Sequence, residues 1–507
     1  MSMIKISNLS FNYDTNPENI FENVSFVIDT NWRLGFIGRN GKGKTTFLNL
    51  LLNKYDYSGT ITYDVSFDYF PFEVNDKSLS SYQIAEQYDL NYEQWKFERE
   101  VSLMDVDTDT LKRPFNTLSK GEQTKILLAI LFLKDNNFLL IDEPTNHLDT
   151  NARKSVSNYL KRKKGFILVS HDRSFLDECV DHILSINRND IQIEKGNFSS
   201  WYENKKRQDN FELSQNEKLK KGISRLEQSA RKVANWSDKI ESSKYNIRGD
   251  LLQDKGYIGH KAAKMMKKSK TIQSRKEKEI EEKSKLLKNI ESIDDLKLNL
   301  KSNKTGHIIE AKNLSVIYGD NIVLSNVNFY IEDGDRLQLK GKNGCGKSSI
   351  LKIILGENIE YLGELYKLHN IKISYVSQDT SFLCGTLSSF AYDNKIDETL
   401  FKTILRKMDF DREQFNIPIE NFSEGEKKKI LIAKSISEQA NVYIWDEPLN
   451  YIDIFTRMQI ENIIKKYNPT MIFVEHDETF SCNIATKKLI LERNKESTKI
   501  EDLKNCS

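Results

Sequence analysis

Two nine-residue segments carry the chemistry that is easiest to read in this chain. Gly38-Arg39-Asn40-Gly41-Lys42-Gly43-Lys44-Thr45-Thr46 and Gly341-Lys342-Asn343-Gly344-Cys345-Gly346-Lys347-Ser348-Ser349 each set three glycines ahead of a lysine and a hydroxyl residue. Glycines let backbone N–H groups turn inward around phosphate oxygens, and the N-terminus of a following helix adds a positive dipole. Lys44 and Lys347 would then reach the outer phosphates, while Thr45 and Ser348 could ligate Mg²⁺. A glycine-rich turn alone is often only a turn. The whole pattern, present twice, points to two sites for ATP and its Mg²⁺.

Acidic residues follow at the right distance. Asp142 and Asp446 each end an apolar run and are followed by Glu143 and Glu447. An acid at the end of a buried strand can be merely structural. Opposite a phosphate loop, the Asp is expected to orient the metal ion through water, and the Glu to polarise the attacking water. His171 and His476 stand after another apolar run in both places, which suits a contact to the terminal phosphate. Ser119 and Gly121, and again Ser423 and Gly425, open predicted helices whose N–H groups could bind an anion. Each of these serines has a Glu three residues on, so a plain capping box is the competing reading.

The motifs recur in one order. Lys347 stands 303 residues after Lys44, Ser423 304 after Ser119, Glu447 304 after Glu143 and His476 305 after His171. Chance does not place four motifs at one offset, so the chain holds two homologous domains. Within each, short β-rich runs such as RLGFIG, FLLID and FILVS alternate with helical patterns, the signature of an α/β domain with a largely parallel sheet. The expected division is 1–200 and 306–507 for the two domains, with 201–305 between them.

The intervening segment is of another kind. It is rich in Lys, Glu and Gln and lacks proline, and Leu219, Ile223, Leu226, Ala230, Val233, Trp236 and Ile240 recur in steps of three and four. That is the seam of a coiled coil. Gly249, Gly256 and Gly259 interrupt it, so a helical hairpin with its tip at about 241–260 is expected. From Lys218 to Lys276 there are 17 Lys and Arg against 5 Asp and Glu, in a chain of net charge +2. Such an excess is often only a solvated surface, but it also matches the phosphate backbone of RNA. The tip adds Tyr245, Ile247, Arg248, Leu251, Leu252, Tyr257 and Ile258, groups that can stack on unpaired bases.

Composition removes several classes. Five scattered cysteines without a CxxC pair suit a reducing compartment and argue against a disulfide framework or a zinc site. No signal peptide opens the chain, and no apolar run approaches the roughly 20 residues of a membrane span. A cytoplasmic protein is the expectation.

These residues resemble the ATP-binding-cassette superfamily, with its phosphate loop, signature, Walker B, D-loop (Asp149, Asp453) and H-loop. In that family two domains meet head to tail. The resemblance therefore implies one site built from Lys44, Thr45, Asp142, Glu143 and His171 with Ser423 and Gly425. The other would use Lys347, Ser348, Gln378, Asp446, Glu447 and His476 with Ser119 and Gly121. Tyr13 and Tyr318 match the aromatic position that stacks on adenine. The tandem arrangement with SxGE-type signatures looks like the ABC-F subfamily, and in particular like its Lsa- and Vga-type antibiotic-resistance members. The resemblance implies a monomer with an intramolecular sandwich and no membrane subunit. It also implies binding in the ribosomal exit-tRNA site, near 23S rRNA and the peptidyl-site tRNA, with displacement of lincosamide, pleuromutilin and streptogramin A drugs. A housekeeping translation factor, the paired ATPase of a transporter and a DNA-repair ATPase are the alternatives. One departure is local: Phe72 stands where the second repeat has Gln378, so two unequal sites are expected.

Overall fold

The computed structural model describes residues 2–13, 19–89, 93–134, 137–146, 148–186, 191–245, 264, 267, 271–272, 274–275, 296, 298, 300–301, 306–319, 321–492 and 499–502. The chain divides into one body formed by Met1–Trp201 with Ile293–Ser507, and a second formed by Tyr202–Ser292.

The first body holds the two repeats, each built on a six-stranded sheet. In the N-terminal repeat the strands run in the order Ser66–Phe70, Asn137–Asp142, Phe166–Val169, Arg33–Ile37, His182–Ile186, Ile191–Lys195, and only the last pairing is antiparallel. The C-terminal repeat copies it as Ile373–Val376, Val442–Asp446, Met471–Val474, Arg336–Lys340, Lys487–Ile490, Lys499–Asp502. Phe166–Val169 and Met471–Val474 are buried at every position. Central parallel strands covered on both faces need unbroken apolar runs of this sort, which is how they were legible. A three-stranded antiparallel sheet accompanies each: Phe21–Asp29, Met3–Phe11, Ser58–Thr62 in the first repeat, and Asn321–Ile331, Ile309–Tyr318, Tyr361–Lys367 in the second.

The apolar core of the first repeat packs Phe36, Phe47 and Leu48 between these two sheets, and Leu339, Ile350 and Leu351 do the same in the second. Leu296 and Leu298, which the sequence reading leaves in the spacer, belong to the helical core of the second repeat with Phe401 and Ile432.

The second body is entered by one helix, Phe198–Tyr245, of 48 residues. At 1.5 Å per residue it is about 70 Å long. Along its described side chains Leu219, Ile223 and Leu226 are half-buried while most of their neighbours are exposed, the stripe that the seam predicts. A Lys205–Asp209 pair at i,i+4 lies along the same half-buried stripe, and a Glu203–Arg207 pair lies on the exposed side. The tip residues Ile247, Arg248, Leu251, Leu252, Tyr257 and Ile258 lie outside the described residues, as does the side chain of Tyr245.

Candidate functional site

Both phosphate loops leave the central strand of a sheet and feed a helix. Gly43 (φ 91°) and Gly346 (φ 102°) cap the helices Lys44–Leu51 and Lys347–Leu355 from the left-handed region. A Cβ on Gly43 would lie 2.5 Å from Ile20, so the loop needs glycine there for space as well as for backbone angle. Lys44 Nζ donates to the Gly38 and Arg39 carbonyls at 2.7 and 3.1 Å, and Lys347 Nζ to those of Gly341 and Lys342 at 2.9 and 3.1 Å. The aromatic residues are tied to the same helices. Tyr13 Oη shares a hydrogen bond of 2.9 Å with Thr46, and Tyr318 Oη one of 3.0 Å with Ser349.

Beside the loops stand the acids. Thr45 Oγ1 donates to Asp142 at 3.2 Å, as does Tyr69 Oη at 3.0 Å. Ser348 makes the matching hydrogen bond to Asp446. Burial raises the carboxyl pKa of both aspartates. Glu143 and Glu447 follow them in the left-handed region, at φ 50° and 47°. A non-glycine residue held there stores strain and aims its side chain off the strand axis. His171 Nε2 lies 3.5 Å from Glu143 Oε1, and His476 Nε2 3.4 Å from Glu447 Oε1. Each glutamate expected to polarise water thus stands beside the histidine expected to contact the terminal phosphate.

The signatures form their helices as capping boxes. Ser119 and Ser423 accept from Glu122 N and Glu426 N, and those glutamates reach back to the serine N–H. The competing reading is therefore true as local structure, and it coexists with a composite site. Ser119 and Gly121 line the same cavity of about 1340 Å³ as Tyr318, Lys347, Ser348, Gln378, Glu447 and His476. At the other site Asn40 Nδ2 donates to the Tyr451 carbonyl at 3.0 Å, and a Cβ on Gly425 would stand 3.3 Å from that same nitrogen. Each phosphate loop thus faces the opposite repeat's signature.

The two sites differ. Gln378 Nε2 and Asn450 Nδ2 both donate to Glu447 Oε2 at 2.8 Å. Burial works to raise the Glu447 pKa, but His476, Lys347 and Asn450 outweigh it and the carboxyl is held below its usual value. Phe72 brings no such donor; its ring stacks on Tyr88 with centroids 4.9 Å apart. Burial, and then Asp142, push Glu143 up to about 8. Burial, with Lys44 and Arg457 adding to it, holds His171 well below the usual imidazole range.

Some residues escaped the motif reading. Arg153 donates to the Leu148 carbonyl at 3.1 Å and to Asp172 at 2.8 Å, while Arg457 donates to Ile452 O at 2.8 Å and to Asp477 at 3.2 Å. Each guanidinium ties the D-loop to the carboxylate that follows the H-loop histidine. Lys125 and Lys429, in the signature helices, donate to the Met104 and Met408 carbonyls at 2.7 and 2.9 Å. All four sit at the 304-residue offset, a signal that was present in the sequence. A further pair has diverged. In the first repeat the Thr145 and Ser170 hydroxyls meet at 3.3 Å, whereas in the second Glu475 accepts from Leu449 N at 2.8 Å and His476 N at 3.1 Å. Burial pushes the Glu475 carboxyl up to about 7.

With this geometry in place, the comparisons agree. The chain matches the ABC transporter family over residues 21–146 and 324–450. It is 30% identical to ATP-binding protein Uup of Buchnera aphidicola, covering 97% of this chain and 81% of that protein. It is 29% identical to ribosome protection protein VmlR of Bacillus subtilis, covering 99% and 89%. A model of ribosome-bound archaeal Pelota and ABCE1 shares the fold at a TM-score of 0.61 and 19% identity, covering 97% of this chain and 78% of that one. The chain belongs to the ATP-binding-cassette family, as a tandem protein of the ABC-F type. It is an ATPase. Among the described residues no helix is long and apolar enough to cross a membrane.

Proposed function

We propose that the chain acts on the ribosome and uses ATP to drive its spacer against bound antibiotics, with lincosamides, pleuromutilins and streptogramin A compounds as the drug classes. The observation that carries this reading is the long basic helix set between two complete cassettes, in a chain similar along its whole length to a ribosome protection protein. A paired transporter ATPase gives no reason for such a spacer. The division 1–200, 201–305 and 306–507 belongs to this reading, with Leu296 and Leu298 of the spacer packed into the second repeat's core, as do the assigned site residues and a cytoplasmic, monomeric protein.

Mg²⁺ fits both sites. Asp446 Oδ1 is buried without a hydrogen-bond partner beside Ser348, and Thr45 lies against Asp142. Among the described residues no cluster of three or more His, Cys, Asp or Glu could hold a metal ion unaided. That suits an ion shared between one carboxylate, one hydroxyl and substrate phosphates. Thr45 and Asp142 would hold it in one site, and Ser348, Asp446 and Gln378 in the other. When bound it neutralises charge on the phosphate oxygens.

Drug susceptibility of a host with and without the full-length chain tests the function. Residues 245–258 replaced by a short Gly-Ser turn should keep ATPase activity and lose protection. Full protection by that variant, at equal abundance and ribosome occupancy, overturns the assignment to the tip. No protection by the intact chain leaves the housekeeping reading.

A further inference from the structure

The two phosphate loops meet the opposite repeat in different ways. The guanidinium of Arg39, in the first loop, is ion-paired with Asp409 of the second repeat and lies 5.8 Å from the centre of the Phe455 ring. Their side chains are 12% and 26% exposed, so the pair is largely withdrawn from water. Asp409 is not a loose surface acid. It stands at φ 68°, its N–H donates to Arg406 O at 3.1 Å, and the preceding carbonyl of Met408 is gripped by Lys429. Lys429 also pairs with the D-loop residue Asp453 at 2.9 Å. The carboxylate is therefore presented to the loop by the signature helix and the D-loop together.

The repeat holds the same device in a second form. Asp105 lies 304 residues before Asp409, at φ 54°, with its N–H on Ser102 O at 3.1 Å and Lys125 on the Met104 carbonyl. The counterpart of Arg39 is Lys342. Asp105 and Lys342 both line the 1340 Å³ cavity, but both are exposed, and Asp105 accepts from Ser155 Oγ of its own repeat at 2.6 Å. A guanidinium grips a carboxylate with a planar fork and is weakly hydrated, whereas an ammonium is a strongly hydrated point charge.

We propose that Asp409 is a positioning residue that fastens the first phosphate loop to the opposing repeat, and that the Arg39–Asp409 pair makes nucleotide leave the first site more slowly than the second. The proposal rests on the reading of these loops as ATP sites. Departure from the first site requires parting a desolvated ion pair that also rests on Phe455. Departure from the second parts no such pair, since Lys342 and Asp105 are already exposed to water.

Stopped-flow release of mant-ATP from the full-length chain with Mg²⁺, chased by excess ATP, tests this in the Glu143→Gln/Glu447→Gln background. Lys347→Ala isolates the first site and Lys44→Ala the second. The first site should release more slowly. Asp409→Asn should speed that release about tenfold and leave the second site within about twofold, since losing one partner of a buried charge pair acts mainly on dissociation. Asp105→Asn, which removes no buried pair, should leave both sites within about twofold. Arg39→Asp joined to Asp409→Arg should release more slowly than Arg39→Asp alone, a rescue that general loosening of the interface does not give. If Asp409→Asn does not fold, Asp409→Glu takes its place and an intermediate acceleration is expected. Unchanged release from the first site, or equal acceleration at both sites, overturns the proposal. Normal hydrolysis in the Glu143→Gln/Glu447→Gln protein instead overturns the site assignment on which it rests.

Discussion

Glu143 and Glu447 occupy the same turn of the two cassettes, at φ 50° and 47°, each beside a histidine Nε2 at 3.5 and 3.4 Å. Their carboxyl groups nevertheless sit on opposite sides of the usual glutamate range. Glu143 is pushed up to about 8 by burial and Asp142, and Glu447 is held low because His476, Lys347 and Asn450 outweigh its burial. Identical motifs thus deliver one carboxyl group that is mostly protonated at neutral pH and one that is ionised.

The double substitution Glu143→Gln with Glu447→Gln keeps side-chain size and removes both bases. Steady-state ATPase should fall by about 10²–10⁴-fold, the usual contribution of a positioned general base. Nucleotide binding, read by equilibrium titration with mant-ATP, should persist. Near-normal turnover would take these residues out of the chemistry.

The single variants should separate by pH. A general base acts only when ionised, so a carboxyl group with a pKa of about 8 is only about a tenth active at pH 7 and gains activity as pH rises. Hydrolysis by the Glu447→Gln protein, which leaves only the first site, should therefore climb between pH 6.5 and about 8.5. Glu143→Gln, which leaves the second site, should give a flat rate over that window. Superimposable profiles would show that the two environments do not govern the chemistry.

Arg457→Ala should lower stability by about 3–5 kcal/mol, because Asp477 would be left buried without its partner. Arg457→Lys keeps the charge but cannot serve both Ile452 O and Asp477, so its loss should be smaller. Denaturant unfolding followed by tryptophan fluorescence ranks the three proteins, and equal stabilities would contradict the bridging role.

Gly43→Ala places a methyl 2.5 Å from Ile20 in a backbone at φ 91°. Strain of about 1–2 kcal/mol is expected from the angle alone. The Tm should fall and mant-ATP binding at the first site should weaken, with the second site spared. Unaltered binding at both sites would mean that the first loop tolerates a side chain there.

Reversing Lys261, Lys264, Lys267 and Lys268 to Glu should weaken ribosome co-sedimentation most at low salt. The slope of log affinity against log salt should shallow by up to nearly four, since each of the four phosphate contacts contributes just under one. An unchanged slope would place the basic stretch away from RNA.

Much of the site was legible because it depends on local backbone. Glycines at 41, 43, 344 and 346 are needed where φ is positive, and Asp142 and Asp446 close unbroken apolar strands. The missing donor at Phe72 was equally plain. What the sequence could not disclose depends on partners 370 and 411 residues away. Arg39 meeting Asp409, and Asn40 meeting the Tyr451 carbonyl, follow from how the repeats dock and not from any spacing within one. The inequality of Glu143 and Glu447 is hidden for another reason: it depends on how deeply each carboxyl group is buried and on which side chains of the fold come within reach of it. Arg153 and Arg457 were a different kind of omission, visible at the repeat offset yet carried by no motif.

The exchange of Thr145 and Ser170 for Leu449 and Glu475 bears on heredity. A duplicated gene can recombine with itself, and unequal crossover within the last third of each half would pair one repeat's turn with the other repeat's H-loop. Serine in place of Glu475 would leave the Leu449 amide without the acceptor it now reaches at 2.8 Å, a buried loss of about 1–3 kcal/mol close to Glu447. Leucine in place of Thr145 would strip Ser170 of its hydroxyl partner. The two halves of this contact are therefore exchangeable only together: a swap that carries one without the other loses a buried hydrogen bond, and a swap of both does not.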